Sequence, residues 1–378
     1  MKPKYTDKAV SLLKDMISIP SFSGEEGQVA DLAAGFLSSE GCCVMRKGNN
    51  LIVPCGKFSA GKPILMLNSH LDTVRPAASY TLDPFCPEVR DGKLYGLGSN
   101  DAGASVAGLI AAFLQFHEEE LPFNLLLALS AEEENSGENG MRLALPFIRE
   151  HFGNPDMAIV GEPTGMQAAV AERGLVVLDC ETRGVSGHAA RNEGTNALYL
   201  ALDEIAKIRS FRFGKTSPRM GDIRMNVTMI SAGVQHNVIP DVCRFVTDIR
   251  TTDAYTNEET VAILSEALQC SIRPRSTRLQ ASSLPAGHIL EQAADICGMK
   301  GYESPTTSDM ALMDFPSIKI GIGDSARSHT ADEYVLLDEV EKGIAEYCKY
   351  LSALSTISKK DNTWQQNSGT KDSKPTTI

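Results

Sequence analysis

Three apolar runs constrain this chain more than any other feature: "ILMLNSH" (64–70), "LLLALSA" (125–131) and "MAIVGEP" (157–163). A strand with one wet face alternates apolar and polar residues. These do not alternate, so each must be buried on both faces, as in a sheet with helices on each side. Helical stretches separate them, such as 102–120. The pattern predicts an α/β fold with a mostly parallel sheet. The chain has 378 residues and is 42% hydrophobic, enough for a large core and more than one ordinary domain holds.

Near residue 170 the texture changes. Strands are expected at 175–184, 225–232 and 243–250, helices at 195–208 and 257–270, and a last strand at 275–283. That βαββαβ order reads as a small α+β domain inserted into the first. The α/β texture then resumes, with a helix near 289–297, a buried strand at 317–323 and a closing helix over 337–354. The expected domains are therefore 1–169 with 284–355, and 170–283, followed by a disordered polar tail at 356–378 that holds the sole tryptophan, Trp364.

A net charge of −12 argues against nucleic acid and anionic membrane as partners. Val10, Leu13, Met16 and Ile17 sit at helical spacing among charges, which predicts an amphipathic helix and not a secretory signal. No window reaches the roughly 18 apolar residues of a membrane span. The nine cysteines are odd in number and form no CxxC. They read as reduced thiols of a cytoplasmic protein.

Chemistry gathers where the buried runs end. The first delivers His70 and Asp72, the second Glu132 and Glu133, the third Glu162, and the run at 317–323 leads to His329. Asp101 precedes a helix. Sites in open α/β sheets form beyond the carboxyl ends of strands, so these groups should share one edge. Carboxylates ~4 Å apart repel by ~4 kcal/mol at an effective dielectric of 20, so either they are protonated or a metal ion holds them. Histidine and carboxylate donors without cysteine suit zinc, with cobalt or manganese as alternatives. Other readings exist for each residue alone. His70 can be a strand-end histidine, Asp101 a helix N-cap, and Glu132–Glu134 acids at a helix N-terminus, which is the reading kept for Glu134. Neighbours in an extended segment point oppositely, so Glu132 and Glu133 should face different things. "HEEEL" (117–121) lacks the second histidine of HExxH, "GVSGH" (184–188) is no nucleophile elbow, and no phosphate-binding loop occurs.

The segments "SHLDTV" (69–74), "DGKLYGLGSNDAG" (91–103), "SAEEENSG" (130–137), "GEPT" (161–164), "GVSGHAA" (184–190), "NVIPD" (237–241) and "SHTADEYV" (328–335) resemble, in order, a known family. It comprises the two-zinc amidohydrolases that include acetylornithine deacetylase, succinyl-diaminopimelate desuccinylase, aminoacylase and glutamate carboxypeptidases. The resemblance implies that His70, Asp101 and Glu162 hold one zinc. Asp101, Glu133 and His329 would hold the other, with Asp101 bridging. Glu132 would be the general base, and Asp72 would orient His70. His188, supplied by a partner subunit of a homodimer formed through the inserted lid, would meet the oxyanion. The Asp101–Ala102 peptide would be cis.

Substrate-binding candidates are Asn237 and Arg250. Alternation in "CRFVTDIR" puts Arg244, Asp248 and Arg250 on one face, and an arginine fork suits a carboxylate. Arg75 stands where relatives carry proline and would serve an anionic succinyl chain. "DGKLYGLGSND" is most similar to the acetylornithine deacetylase group. That implies a deacylase of N-acetylornithine, or of acetyl- or succinyl-citrulline, in arginine biosynthesis. The rivals are a zinc dipeptidase or carboxypeptidase, and a metal-binding module without turnover.

Overall fold

The computed structural model describes residues 3–191 and 193–361. Trp364 and the expected tail from 362 onward lie outside them. The chain divides into two compact units: Met1–Val170 with Leu284–Tyr302 and Asp314–Ile378, and Ala171–Ser283 with Glu303–Met313.

The first unit is built on the apolar runs. Its sheet runs in the order Met45–Lys47, Asn50–Pro54, Asn124–Ser130, Ile64–His70, Met157–Val160 and Ser317–Lys319, then the start of Ala168–Glu172. The middle four strands are mutually parallel, and antiparallel neighbours flank them. Every residue of Ile64–His70 and Asn124–Ser130 is buried, as their lack of alternation requires.

The helix Ala104–Phe116 packs on those two strands and also against Thr6–Ile17 and the closing helix. Twelve of its residues are buried, which is why it is apolar all round. Gly108 permits the close approach, because a Cβ there would lie 2.5 Å from Ile322.

Several boundaries differ from expectation. The helix read over 102–120 is Ala104–Phe116, because the chain at Asp101 and Ala102 has non-helical dihedrals. The closing helix runs Leu337–Asp361, so 356–361 belongs to it and not to a polar tail; Ile357 is buried there.

The second unit carries an antiparallel sheet in the order Arg224–Ala232, Val242–Thr251, Gly174–Arg183 and Ser271–Pro274. The helices Ala197–Ser210 and Asn257–Ala267 cover one face over Val176, Leu178, Phe245 and Ile249. The last strand is Ser271–Pro274 and not 275–283, of which only Ser282–Ser283 is extended and paired. Ile272, opposite Cys180, fixes its register by joining the buried cluster.

Candidate metal centre

Three parallel strands end at one edge of the first unit's sheet. Ile64–His70 places His70 directly, in register with Ser130. Met157–Val160 leads to Glu162, and Ser317–Lys319 to the loop that carries His329. Gly321 lets that loop cross the third strand end, because a Cβ would lie 2.0 Å from the Glu162 carbonyl. Asp101 sits in the wide turn Ser99–Gly103, entered through Gly98 at φ +73°. The Asp101–Ala102 peptide is cis.

The side chains converge as two groups that share a residue: His70, Asp101 and Glu162, then Asp101, Glu134 and His329. His70 Nε2 lies 3.3 Å from Asp101 Oδ1 and 3.8 Å from Glu162 Oε1. His329 Nε2 lies 3.0 Å from Glu134 Oε2 and 3.8 Å from Asp101 Oδ2. Asp101 thus turns one oxygen to each histidine, the disposition of a bridging ligand. His70 Nδ1 is 2.9 Å from the Asp72 carbonyl and 3.4 Å from its carboxylate, which aims Nε2 at the cluster. Asp72 is itself fixed by Ser23 Oγ at 2.6 Å and by the N–H groups of Glu133 and Glu134.

The glutamate triplet departs from expectation by one position. Glu134, not Glu133, stands with Asp101 and His329. Glu132 folds back on its own loop, where its carboxylate accepts from Asn139 N at 2.9 Å and Asn139 Nδ2 at 2.8 Å. Alternation fails here because the strand ends at Ser130 and Glu132 turns at φ +52°. Glu133 remains near the cluster, its charge helping to keep His70 protonated. The expectation of Glu133 beside Asp101 and His329 is therefore corrected to Glu134, and the Glu132 carboxylate, expected to face water and substrate, is engaged by Asn139 instead.

Electrostatics supports a cation. Burial, with Asp101 beside it, pushes the Glu162 carboxyl up to about 8. Burial alone would lower His70, but Glu162, Asp101 and Asp72 hold it well above the ordinary histidine range. The Glu134 hydrogen bond lifts His329 to about 9 against partial burial. Protons thus screen these acids, and a divalent ion would replace them. The donors are imidazole and carboxylate alone, and they fit a pair of such ions.

Sequence reasoning missed Glu333. This buried carboxylate accepts from the N–H groups of Gly98, Asn100 and Asp101 at 3.1, 2.8 and 2.9 Å. It ties the loop of His329 to the turn of Asp101. Its only signal was its place in "SHTADEYV".

The remaining candidates sit elsewhere. Arg75 is exposed, pairs with Glu25 at 2.8 Å and lies over the Phe22 ring. In the second unit, His188 and Asn237 are brought together. Gly187–His188 pairs with Val238–Ile239, and Ala189 N–H donates to the Asn237 carbonyl. His188 Nδ1 accepts from Ala190 N–H. Arg250 is held by Asp248 at 2.9 Å near the far end of Val242–Thr251.

Residues 66–353 match peptidase family M20/M25/M40. A succinyl-diaminopimelate desuccinylase of Wolbachia pipientis is 26% identical over 367 residues, covering 90% of this chain and 92% of its own. The crystal structure of aminopeptidase PepT from Bacillus cereus superposes with a TM-score of 0.74 at 18% identity, over 93% of this chain and 99% of that one. A dinuclear metal-binding peptidase from Bacillus subtilis gives 0.68 at 15%, over 93% and 98%.

Proposed function

Because the chain belongs to peptidase family M20/M25/M40, and is thus a metallo-hydrolase, we propose that it cleaves the amide of an N-acylated amino acid. The observation that carries this reading is the pair of ligand groups joined through Asp101, with Glu133 alongside. Two divalent ions, zinc or else cobalt or manganese, would supply a Lewis acid for the amide carbonyl and lower the pKa of water. The chain's residues do the rest. Asp72 fixes the ring of His70. Glu133 takes a proton from the attacking water and returns it to the departing nitrogen, so that a C–O bond replaces the C–N bond. His188 meets the developing oxyanion, and Asn237 and Arg250 hold the substrate.

The acyl group is acetyl or succinyl and the amino acid ornithine or citrulline. The desuccinylase names among the relatives favour a succinyl chain over the acetylornithine reading. A peptidase reading stands beside it, since the similar folds include an aminopeptidase and a dinuclear peptidase. A panel of acetyl- and succinyl-ornithine and -citrulline, with unacylated dipeptides, separates them on metal-loaded enzyme. The deacylase reading expects higher kcat/KM on an acylated amino acid; faster dipeptide cleavage overturns it.

A homodimer through the second unit is part of this proposal. Within that unit His188 pairs with Val238, beyond the Val242 end of the strand Val242–Thr251, whereas Arg250 stands eight steps, about 27 Å, along that strand, too far for both to grip one small substrate. A second copy would supply the missing group. Tyr199, Leu202, Met229 and Ile230 are exposed there and offer an apolar surface to it. The nine free cysteines fit a reducing, cytoplasmic setting. Among the described residues no helix is long and apolar enough to cross a membrane.

A further inference from the structure

His329 is the most exposed side chain of the two ligand groups, so the place of its ring depends on how its loop is held. The loop enters at Asp324, whose N–H donates to the Asn100 side chain at 2.9 Å and whose carbonyl accepts from it at 3.1 Å. It leaves at Asp332, which accepts from the N–H groups of Thr81 and Leu82 at 2.8 and 2.9 Å. Between these anchors, and apart from His329, Arg327 is the only side chain in an ion pair among the described residues. It reaches the first turn of the closing helix, where Nη1 and Nη2 donate to the two oxygens of Glu339 at 2.9 and 2.7 Å. Nη1 also donates to the Tyr334 carbonyl at 3.3 Å, and Glu339 accepts from Leu336 N–H at 3.2 Å. The Arg327 side chain is 14% exposed, and its planar fork matches the carboxylate as a lysine could not. The Arg327 carbonyl accepts from Thr330 Oγ1 at 2.8 Å, which closes a turn around Ser328 and His329. A hold on Arg327 is therefore a hold on the turn that carries the ligand.

We propose that Arg327 and Glu339 form a positioning clamp for His329, which fixes the turn 327–330 so that the second metal ion meets an imidazole already in place. This rests on the metal-centre reading and deepens it. Neither residue belongs to the ligand groups, so both act through the backbone of the turn. A turn ordered beforehand spares the ion the entropic cost of ordering it. The effect is confined to the second ion, because His70 and Glu162 stand at the ends of strands that the clamp does not touch.

The test compares wild type with Arg327→Gln, Arg327→Lys, Glu339→Gln and the double variant Arg327→Gln with Glu339→Gln. Two quantities are read: zinc affinity at each position by chelator competition, and amide hydrogen exchange in the metal-free protein. Arg327→Gln and Glu339→Gln are each expected to weaken one ion about tenfold and to leave the other within about twofold. Arg327→Lys should restore part of the loss, and the double variant should be little worse than either single one, since each breaks the same pair. Exchange at the amides of 325–330 should quicken about tenfold, while those of Gly98, Asn100 and Asp101, held by Glu333, stay as in wild type. Should Arg327→Gln fail to fold, Glu339→Gln and Arg327→Lys carry the same comparison. Equal weakening of both ions marks a general loss of stability and overturns the clamp, as do two unchanged affinities. If wild type binds no divalent ion, the metal reading falls and exchange alone decides: quickening confined to 325–330 upholds the clamp as the hold on His329, and unchanged exchange overturns it.

Discussion

The two halves of the metal centre share Asp101 and differ in almost everything else. The His70 side chain is 1% exposed and that of His329 is 54% exposed. His70 grows from a fully buried strand and is braced by Asp72, which Ser23 and two backbone N–H groups brace in turn. His329 sits on a loop at φ +58° and, among the described residues, its ring is hydrogen-bonded by Glu134 alone, with Asp101 3.8 Å away. The sheet thus builds one position as part of the core and leaves the other facing water. A ligand embedded in packing loses little freedom on binding; a ligand on an open loop must be fixed at that moment. The first position should therefore hold its ion tightly and the second exchange it.

This contrast can be broken at several points. The largest effect is expected from removing the buried imidazole. His70→Ala strands Asp72, Asp101 and Glu162 without their cation and should destabilise the metal-free protein by about 3–5 kcal/mol in urea unfolding, whereas His329→Ala should change it by less than about 1 kcal/mol. Equal losses would erase the distinction between core and rim. Next comes Asp72→Asn, which should weaken the tighter ion by about 10–100-fold in a chelator competition and leave the weaker one nearly unchanged.

The pH dependence sharpens the comparison further. His329 carries a proton up to about 9 and Glu162 up to about 8 in the metal-free protein, and each ion must displace them. Affinity should fall as pH falls from 8 to 6, about tenfold per unit for each proton displaced, with proton release seen when buffers of different ionisation enthalpy are compared. Affinity that rises on acidification would contradict these protonation states. The smallest effect belongs to Glu132→Gln. Its carboxylate caps the loop at Asn139, so kcat/KM should stay within about threefold while Tm drops slightly.

The comparison also explains what could be read from the sequence. His70, Glu162 and the parallel sheet were legible because burial on both faces leaves a mark, an apolar run with no alternation, and the run's end locates the ligand. The βαββαβ order of the second unit was legible because its central strand does alternate. Glu132, Glu133 and Glu134 are chemically identical neighbours. Only the turn at Glu132 and the grip of Asp72 on the next two N–H groups decide which of them faces the cluster. Glu333 was illegible for a related reason. Its work is done on backbone amides 232–235 residues away, which leave no pattern around it.

The central claim is the division of labour within the triplet, and metal content read beside turnover tests it most directly. Glu134→Gln should bind one ion per chain where wild type binds two. Glu133→Gln should keep both and lose kcat by roughly 10²–10⁴-fold. An ion lost from Glu133→Gln with both retained by Glu134→Gln would contradict the account.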